Sequence, residues 1–141
     1  MLTEIGDQAF TGTSLRSVEI PASVTSTGNS TFQDIYSLSN VTFTENTMLK
    51  TIGNRAFGSS GIVSVIIGSK VEWIGLAAFQ GCPVKPGQIT PNCDKLRSVI
   101  FAPNSNVKYI GPKAFSSQAL VTIDIPASVE ILAGKKNGGR L

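Results

Sequence analysis

The 141-residue chain contains no histidine, only two cysteines and a single tryptophan. Without histidine the usual general base and the commonest metal ligand are missing, so no Ser–His or Cys–His nucleophile can be assembled. Two cysteines alone fall short of the roughly four ligands of a structural zinc site. Charged residues make up 15% of the chain and the carboxylates are scattered. Glu19 and Asp124 occupy equivalent repeat positions, but four rungs apart. At about 4.8 Å per rung the gap is near 19 Å, too wide for an acid–base pair. Walker-type and dinucleotide loops are absent. No run approaches the roughly 18 apolar residues of a membrane span, and Met1-Leu2-Thr3-Glu4 reads as the start of a repeat, not as a signal peptide. Enzymatic activity, a cofactor, a bound metal and membrane insertion are therefore not expected.

Nucleic acid is an equally poor fit. The net charge of +3 resides in the tail KKNGGRL, where Lys135, Lys136 and Arg140 sit. Removing these three from twelve basic residues leaves nine, against nine acidic ones, so the remainder is neutral. Trp73, Tyr36 and Tyr109 are not interleaved with Lys or Arg on one strand face. Residues 135–141 are expected to be a disordered tail, and residues 1–134 a single domain.

Within that domain one pattern recurs. The stretch IGNRAFGSSGIVSVII at Ile52–Ile67 has counterparts beginning at Ile5, Thr27, Ile74 and Ile110, and a sixth start at Leu132. The intervals between starts are 22, 25, 22, 36 and 22 residues. Such a unit is too short to enclose a core, so its apolar face must be covered by its neighbours. The apolar triplets Leu15/Val18/Ile20, Leu38/Val41/Phe43, Ile62/Val65/Ile67, Leu96/Val99/Phe101 and Leu120/Ile123/Ile125 alternate as half-buried strands do. A second column holds Phe10, Phe32, Phe57, Phe79 and Phe115. With Phe43 and Phe101 these use all seven phenylalanines of the chain. Gly6, Gly28, Gly53, Gly75 and Gly111 follow the start residues, which implies a positive φ or a close backbone approach. Ala9, Ala56, Ala78 and Ala114 precede the phenylalanines and imply tight stacking. The second unit departs twice, with Thr27 at the start and Thr31 for alanine, and is expected to pack least well.

Two kinds of length variation stand out. Units two and four carry two extra residues after the strand, Phe43-TENTM-Leu49 and Phe101-APNSN-Val107, against the short Ile20-PAS-Val24 form. A larger insertion, about residues 82–93, contains Pro83, Pro86 and Pro91 and both cysteines. The loop lies between Cys82 and Cys93, as a stapled excursion would, and a disulfide between them is expected.

The phrases Ser17-Val18-Glu19-Ile20-Pro21-Ala22-Ser23-Val24, Lys50-Thr51-Ile52-Gly53-Asn54-Arg55-Ala56-Phe57 and Phe79-Gln80-Gly81-Cys82 resemble the BspA-like leucine-rich repeats. A period of about 22 residues lies within the leucine-rich-repeat range. The resemblance covers about residues 2–133. It implies a β-rich solenoid of about five repeats of 22–25 residues, with a parallel sheet on one face and little helix. In this family a cysteine often occupies the position of Cys82, where it is a buried thiol. The family's members look like cell-surface or secreted proteins linked to adhesion and to binding of host proteins. A protein ligand, such as a host or matrix protein, is the partner so implied. The expected function is a non-catalytic protein-binding or adhesion module. The competing reading is a structural spacer of a larger protein with no ligand of its own.

For binding, the outward residues of the strands are the candidates. One column reads Ser17, Asn40, Ser64, Ser98 and Thr122, and the next reads Glu19, Thr42, Ile66, Ile100 and Asp124. Ile66 and Ile100 should be outward-facing neighbours rimmed by polar groups, as a contact site requires. Asn40, Thr42, Ser64, Ile66, Ser98 and Ile100 are therefore the candidate protein-binding residues, and Val63 and Val121 would extend them. Solenoid ends without polar caps leave apolar surface and strand edges uncovered, so end-to-end self-association is also expected.

Overall fold

A computed structural model describes residues 1–44, 46–82, 86–87 and 93–134. The expected disordered tail and most of the Pro-rich insertion, including Pro83 and Pro91, lie outside the described residues. Among the described residues there is no helix, and all the strands pair in parallel. Each of the first five coils has a two-residue strand at the repeat start and a turn carrying the phenylalanine, four of them add a four-residue strand, and the sixth is described only at its two-residue strand.

The two-residue strands are β1 (Glu4–Ile5), β3 (Ser26–Thr27), β5 (Thr51–Ile52), β7 (Trp73–Ile74), β9 (Tyr109–Ile110) and β10 (Ile131–Leu132). They form one six-stranded sheet in that order. Its register aligns Ile5, Thr27, Ile52, Ile74, Ile110 and Leu132, the repeat starts read from the sequence. The four-residue strands are β2 (Ser17–Ile20), β4 (Asn40–Phe43), β6 (Ser64–Ile67) and β8 (Ser98–Phe101). They form two separate pairs, β2 with β4 and β6 with β8. The continuous sheet therefore lies on the arm of the repeat starts, and the longer strands carry a divided one. The triplet Leu120/Ile123/Ile125 forms no strand, although Leu120 and Ile123 still pack against the core.

Hydrogen bonding between coils differs from arm to arm. On the six-stranded sheet the ladder donates in both directions, as a parallel pair does, and it is closed by bonds to the preceding coil: Gly28 N–H to the Ile5 carbonyl at 2.8 Å, and Gly75 N–H to the Ile52 carbonyl at 2.9 Å. On the turns each coil donates to the one after it. The N–H of Phe10 reaches the Thr31 carbonyl at 2.8 Å, and those of Phe32, Phe57 and Phe79 reach Ala56, Ala78 and Ala114 at 2.7 Å. These bonds hold the phenylalanines in a stack. Successive ring centroids from Phe10 to Phe115 are 5.2, 5.1, 5.1 and 5.6 Å apart, with planes within 9° of parallel. The inner rings are buried and Phe10 is partly open.

The glycine column answers to close approach and not to φ. A Cβ on Gly53 would fall on the Gly28 carbonyl, and one on Gly111 would lie 2.6 Å from backbone atoms of Gly75 and Leu76. Positive φ occurs two residues later, at Gln8, Ser30, Arg55, Ala77 and Lys113. The first four of these donate their N–H groups to the next coil, which offsets the strain of a left-handed non-glycine residue. Beside them runs a side-chain ladder: Asp7 Oδ1 accepts from Asn29 N–H at 2.6 Å, Asn29 Oδ1 from Asn54 N–H at 3.0 Å, and Asn54 Oδ1 from Leu76 N–H at 2.8 Å.

The second unit packs better than its sequence implies. Thr27 and Thr31 are buried, and the Thr31 hydroxyl donates to the Gly28 carbonyl at 2.8 Å. Phe32, Ile35 and Leu38 of this unit are fully buried. A threonine whose hydroxyl is satisfied by the neighbouring backbone avoids the cost of an unpaired buried polar group.

The candidate binding face

The outward residues of the longer strands form the candidate site, and their order follows from strand alternation. In β6 and β8 the inward Val65, Ile67 and Val99 are buried, which turns Ser64, Ile66, Ser98 and Ile100 outward. Ser64 pairs in register with Ser98, and Ile66 with Ile100. Ile66 is 61% exposed and Ile100 is 54% exposed, so the two side chains form a raised apolar ridge. Val63, at the entrance to β6, is also exposed. Val121 is exposed too, but in a stretch without strand structure.

Asn40 and Thr42 also point outward, but on β4, and no ladder joins β4 to β6. The Cα atoms of the two strands come within 8 Å. That is less than the roughly 9.6 Å that an inserted strand would need. A slot of about 470 Å³ occupies the step, bounded by Asn40, Thr42 and Phe43 on one side and Ser64, Ile66 and Lys70 on the other. A second slot of about 470 Å³ lies between β8 and the strandless segment of the fifth coil, bounded by Ile100, Phe101, Asn104, Asp124 and Ala127.

Both slots adjoin the two units with the longer loop. In each, the extra residues turn at a left-handed asparagine, Asn46 with φ 58° and Asn104 with φ 57°. The loops are then tied backward: Met48 N–H donates to the Ala22 carbonyl at 2.9 Å, and Asn106 N–H to the Ser69 carbonyl at 3.0 Å. Each pair of coils is thereby closed on itself and the next coil stands off. In both units a half-buried phenylalanine, Phe43 or Phe101, replaces the isoleucine at the end of the strand. The loop lengths and the phenylalanines are visible in the sequence, whereas the slots they create are not deduced from it.

A second exposed feature lies on the six-stranded sheet. Trp73 and Tyr109 are register partners, and their rings stack with centroids 3.7 Å apart and planes 12° apart. Ile131 comes next in register and is also exposed. Lys108 and Glu130 form an exposed ion pair of 3.5 Å beside them. The common position of Trp73 and Tyr109, each just before a repeat start, is the sequence signal for this pair.

The structure places the Cα atoms of Cys82 and Cys93 5.4 Å apart with their sulfurs in contact, a separation within the range of a disulfide. Cys93 is buried and Cys82 half-buried. Among the described residues no three or more Cys, Asp or Glu side chains gather where a metal could bind, and no helix is long and apolar enough to cross a membrane.

The sequence pattern described as the BspA-type leucine-rich repeat region matches in six copies, over residues 1–85 and 89–135. No curated protein sequence matches the chain. Two solved structures are similar. One is the pneumococcal vaccine antigen PcpA, 20% identical with a TM-score of 0.61, covering 79% of this chain and 26% of that one. The other is a leucine-rich cell surface protein of Faecalibacterium prausnitzii, 24% identical with a TM-score of 0.50, covering 91% of this chain and 38% of that one. The chain thus spans well under half the length of either protein, and at these identities the likeness is one of fold.

Proposed function

Because the chain belongs to the BspA-type leucine-rich repeat family, we propose that it is a non-catalytic protein-binding or adhesion module that uses its strand face. The observation that carries this reading is the ridge of Ile66 and Ile100. Two large aliphatic side chains stand outward in register, at 61% and 54% exposure, between Ser64 and Ser98 on one side and two slots on the others. An apolar patch with a polar rim on a rigid sheet is the form that protein contact sites take. Asn40 and Thr42 extend the site across the first slot.

The test is binding of the purified chain to a panel of extracellular-matrix and host-surface proteins, compared with an Ile66→Lys, Ile100→Lys double variant. Binding by the parent that falls at least tenfold in the double variant supports the reading. Equal binding by both puts the contact elsewhere. No binding by either favours the spacer reading.

A further inference from the structure

The two slots share the same near wall, although β6 bounds the first and a strandless segment the second. Phe43 corresponds to Phe101, Asn46 to Asn104, and the Ile66–Ile100 ridge stands between the slots. Resting on the reading of the strand face as a protein-binding surface, we infer that the two slots receive two apolar side chains of one extended, polyproline-II segment of a partner protein. The segment crosses the strands along the solenoid axis.

Three observations select this occupant. The first is spacing. Phe43 and Phe101 are separated by one open step and one paired rung, on the order of 10 Å. A polyproline-II segment repeats every three residues with a rise of about 3.1 Å, so residues i and i+3 share a face about 9 Å apart. In a β-strand residues three apart point to opposite faces, and those two apart are only about 7 Å apart. The second is width. The slot of about 470 Å³ has room for a side chain, but a step under 8 Å has none for an added strand, which excludes strand addition between β4 and β6. The third is charge. Lys70 borders the first slot and Asp124 the second, so a segment acidic at one end and basic at the other is complementary in one orientation. Half-buried aromatic rings in grooves are also the surfaces on which polyproline-II segments dock.

The probe is a random twelve-residue peptide library displayed on phage and selected on the intact chain, with enriched sequences remade as synthetic peptides for anisotropy titration. Two variants plug the slots from exposed positions, Thr42→Trp for the first and Ala127→Trp for the second, and Ile66→Lys disrupts the ridge. The expected peptides are proline-rich and carry two apolar residues three apart. Each plug should weaken their binding about tenfold, the loss typical of one anchoring side chain. Replacing either apolar residue of the peptide with serine should do the same, which keeps the test decisive if a plugged variant fails to fold. Peptides that need Ile66 but space their apolar residues by two or four, or ignore both plugs, overturn this inference and leave the strand-face reading standing. Peptides unaffected by Ile66→Lys, or no enrichment at all, overturn both.

Discussion

The two strand-bearing arms of the solenoid are built from the same repeats and behave differently. The arm of two-residue strands runs unbroken through six coils, whereas the arm of four-residue strands is divided into pairs. Strand length does not decide continuity here. Five of the six short strands lead into the glycine column, where, from Gly28 on, the absence of a Cβ lets one backbone meet the next. The longer strands each lead into a loop of variable length, and where the loop gains two residues the ladder opens. Continuity in a stacked array thus depends on the segment after a strand more than on the strand itself.

The largest expected effect comes from removing what both arms share. Phe57 is fully buried between Phe32 and Phe79, and Phe57→Ala should cost about 3–5 kcal/mol. Against a total stability of about 5–15 kcal/mol that loss should show as a large drop in melting temperature. A melting curve that overlays the parent's would mean the stack does not unite the arms. Next is the insertion within coil four. A Cys82–Cys93 disulfide closing a loop of about a dozen residues should contribute on the order of 3 kcal/mol in the chain-entropy model. Intact mass after alkylation under denaturing conditions, with and without reduction, reads the bond directly. Alkylation of both cysteines without reduction would show that the excursion is unstapled.

The continuous arm can be broken by a single methyl group. Gly53→Ala would press a Cβ onto the Gly28 carbonyl, whereas a Cβ on Gly6 meets nothing within 4 Å. The first substitution should cost about 1–3 kcal/mol, as overpacking does, and Gly6→Ala should be near neutral. Equal losses in denaturant titrations would remove the close-approach account of the column. Thr27→Ile restores the apolar start residue at a buried site and should stabilise by about 1 kcal/mol; a clear loss would show that the hydroxyl is needed there. The smallest effect distinguishes the paired and open steps. The amide of Ile100 lies within the β6–β8 ladder and that of Ile66 faces the open step. Hydrogen exchange should be about fivefold or more faster at Ile66, as one missing hydrogen bond implies.

Most of the fold can be read from the chain because each coil repeats the same contacts. The starts at Ile5, Thr27, Ile52, Ile74, Ile110 and Leu132 align in the structure as they do in the sequence, and the phenylalanine column is a physical stack. The ridge of Ile66 and Ile100 is legible for the same reason, since alternation alone turns both outward. The left-handed residues are not, because Gln8, Arg55 and Ala77 carry no signature of positive φ and owe it to hydrogen bonds from the adjacent coil. Nor are the slots, which are distances between coils and not properties of either one. The strand expected at Leu120/Ile123/Ile125 fails for a related reason. Apolar alternation makes a strand only where a neighbour supplies the ladder, and the fourth coil's long loop leaves the fifth standing off.

The direction of the hydrogen bonds between coils has an electrostatic consequence. In an α-helix every peptide dipole points the same way, and the sum leaves roughly half a charge at each end. Here the N–H groups of the turns point toward the following coil, whereas those of a parallel ladder alternate between its two neighbours and leave only a small net dipole. The axial dipole of the stack therefore comes mainly from the turns, a minority of its peptides. Adding coils builds up less axial field than a helix of as many peptides, in which every dipole contributes. The field that charged partners sense on this molecule is consequently set more by side chains such as Lys70 and Asp124 than by the backbone that positions them.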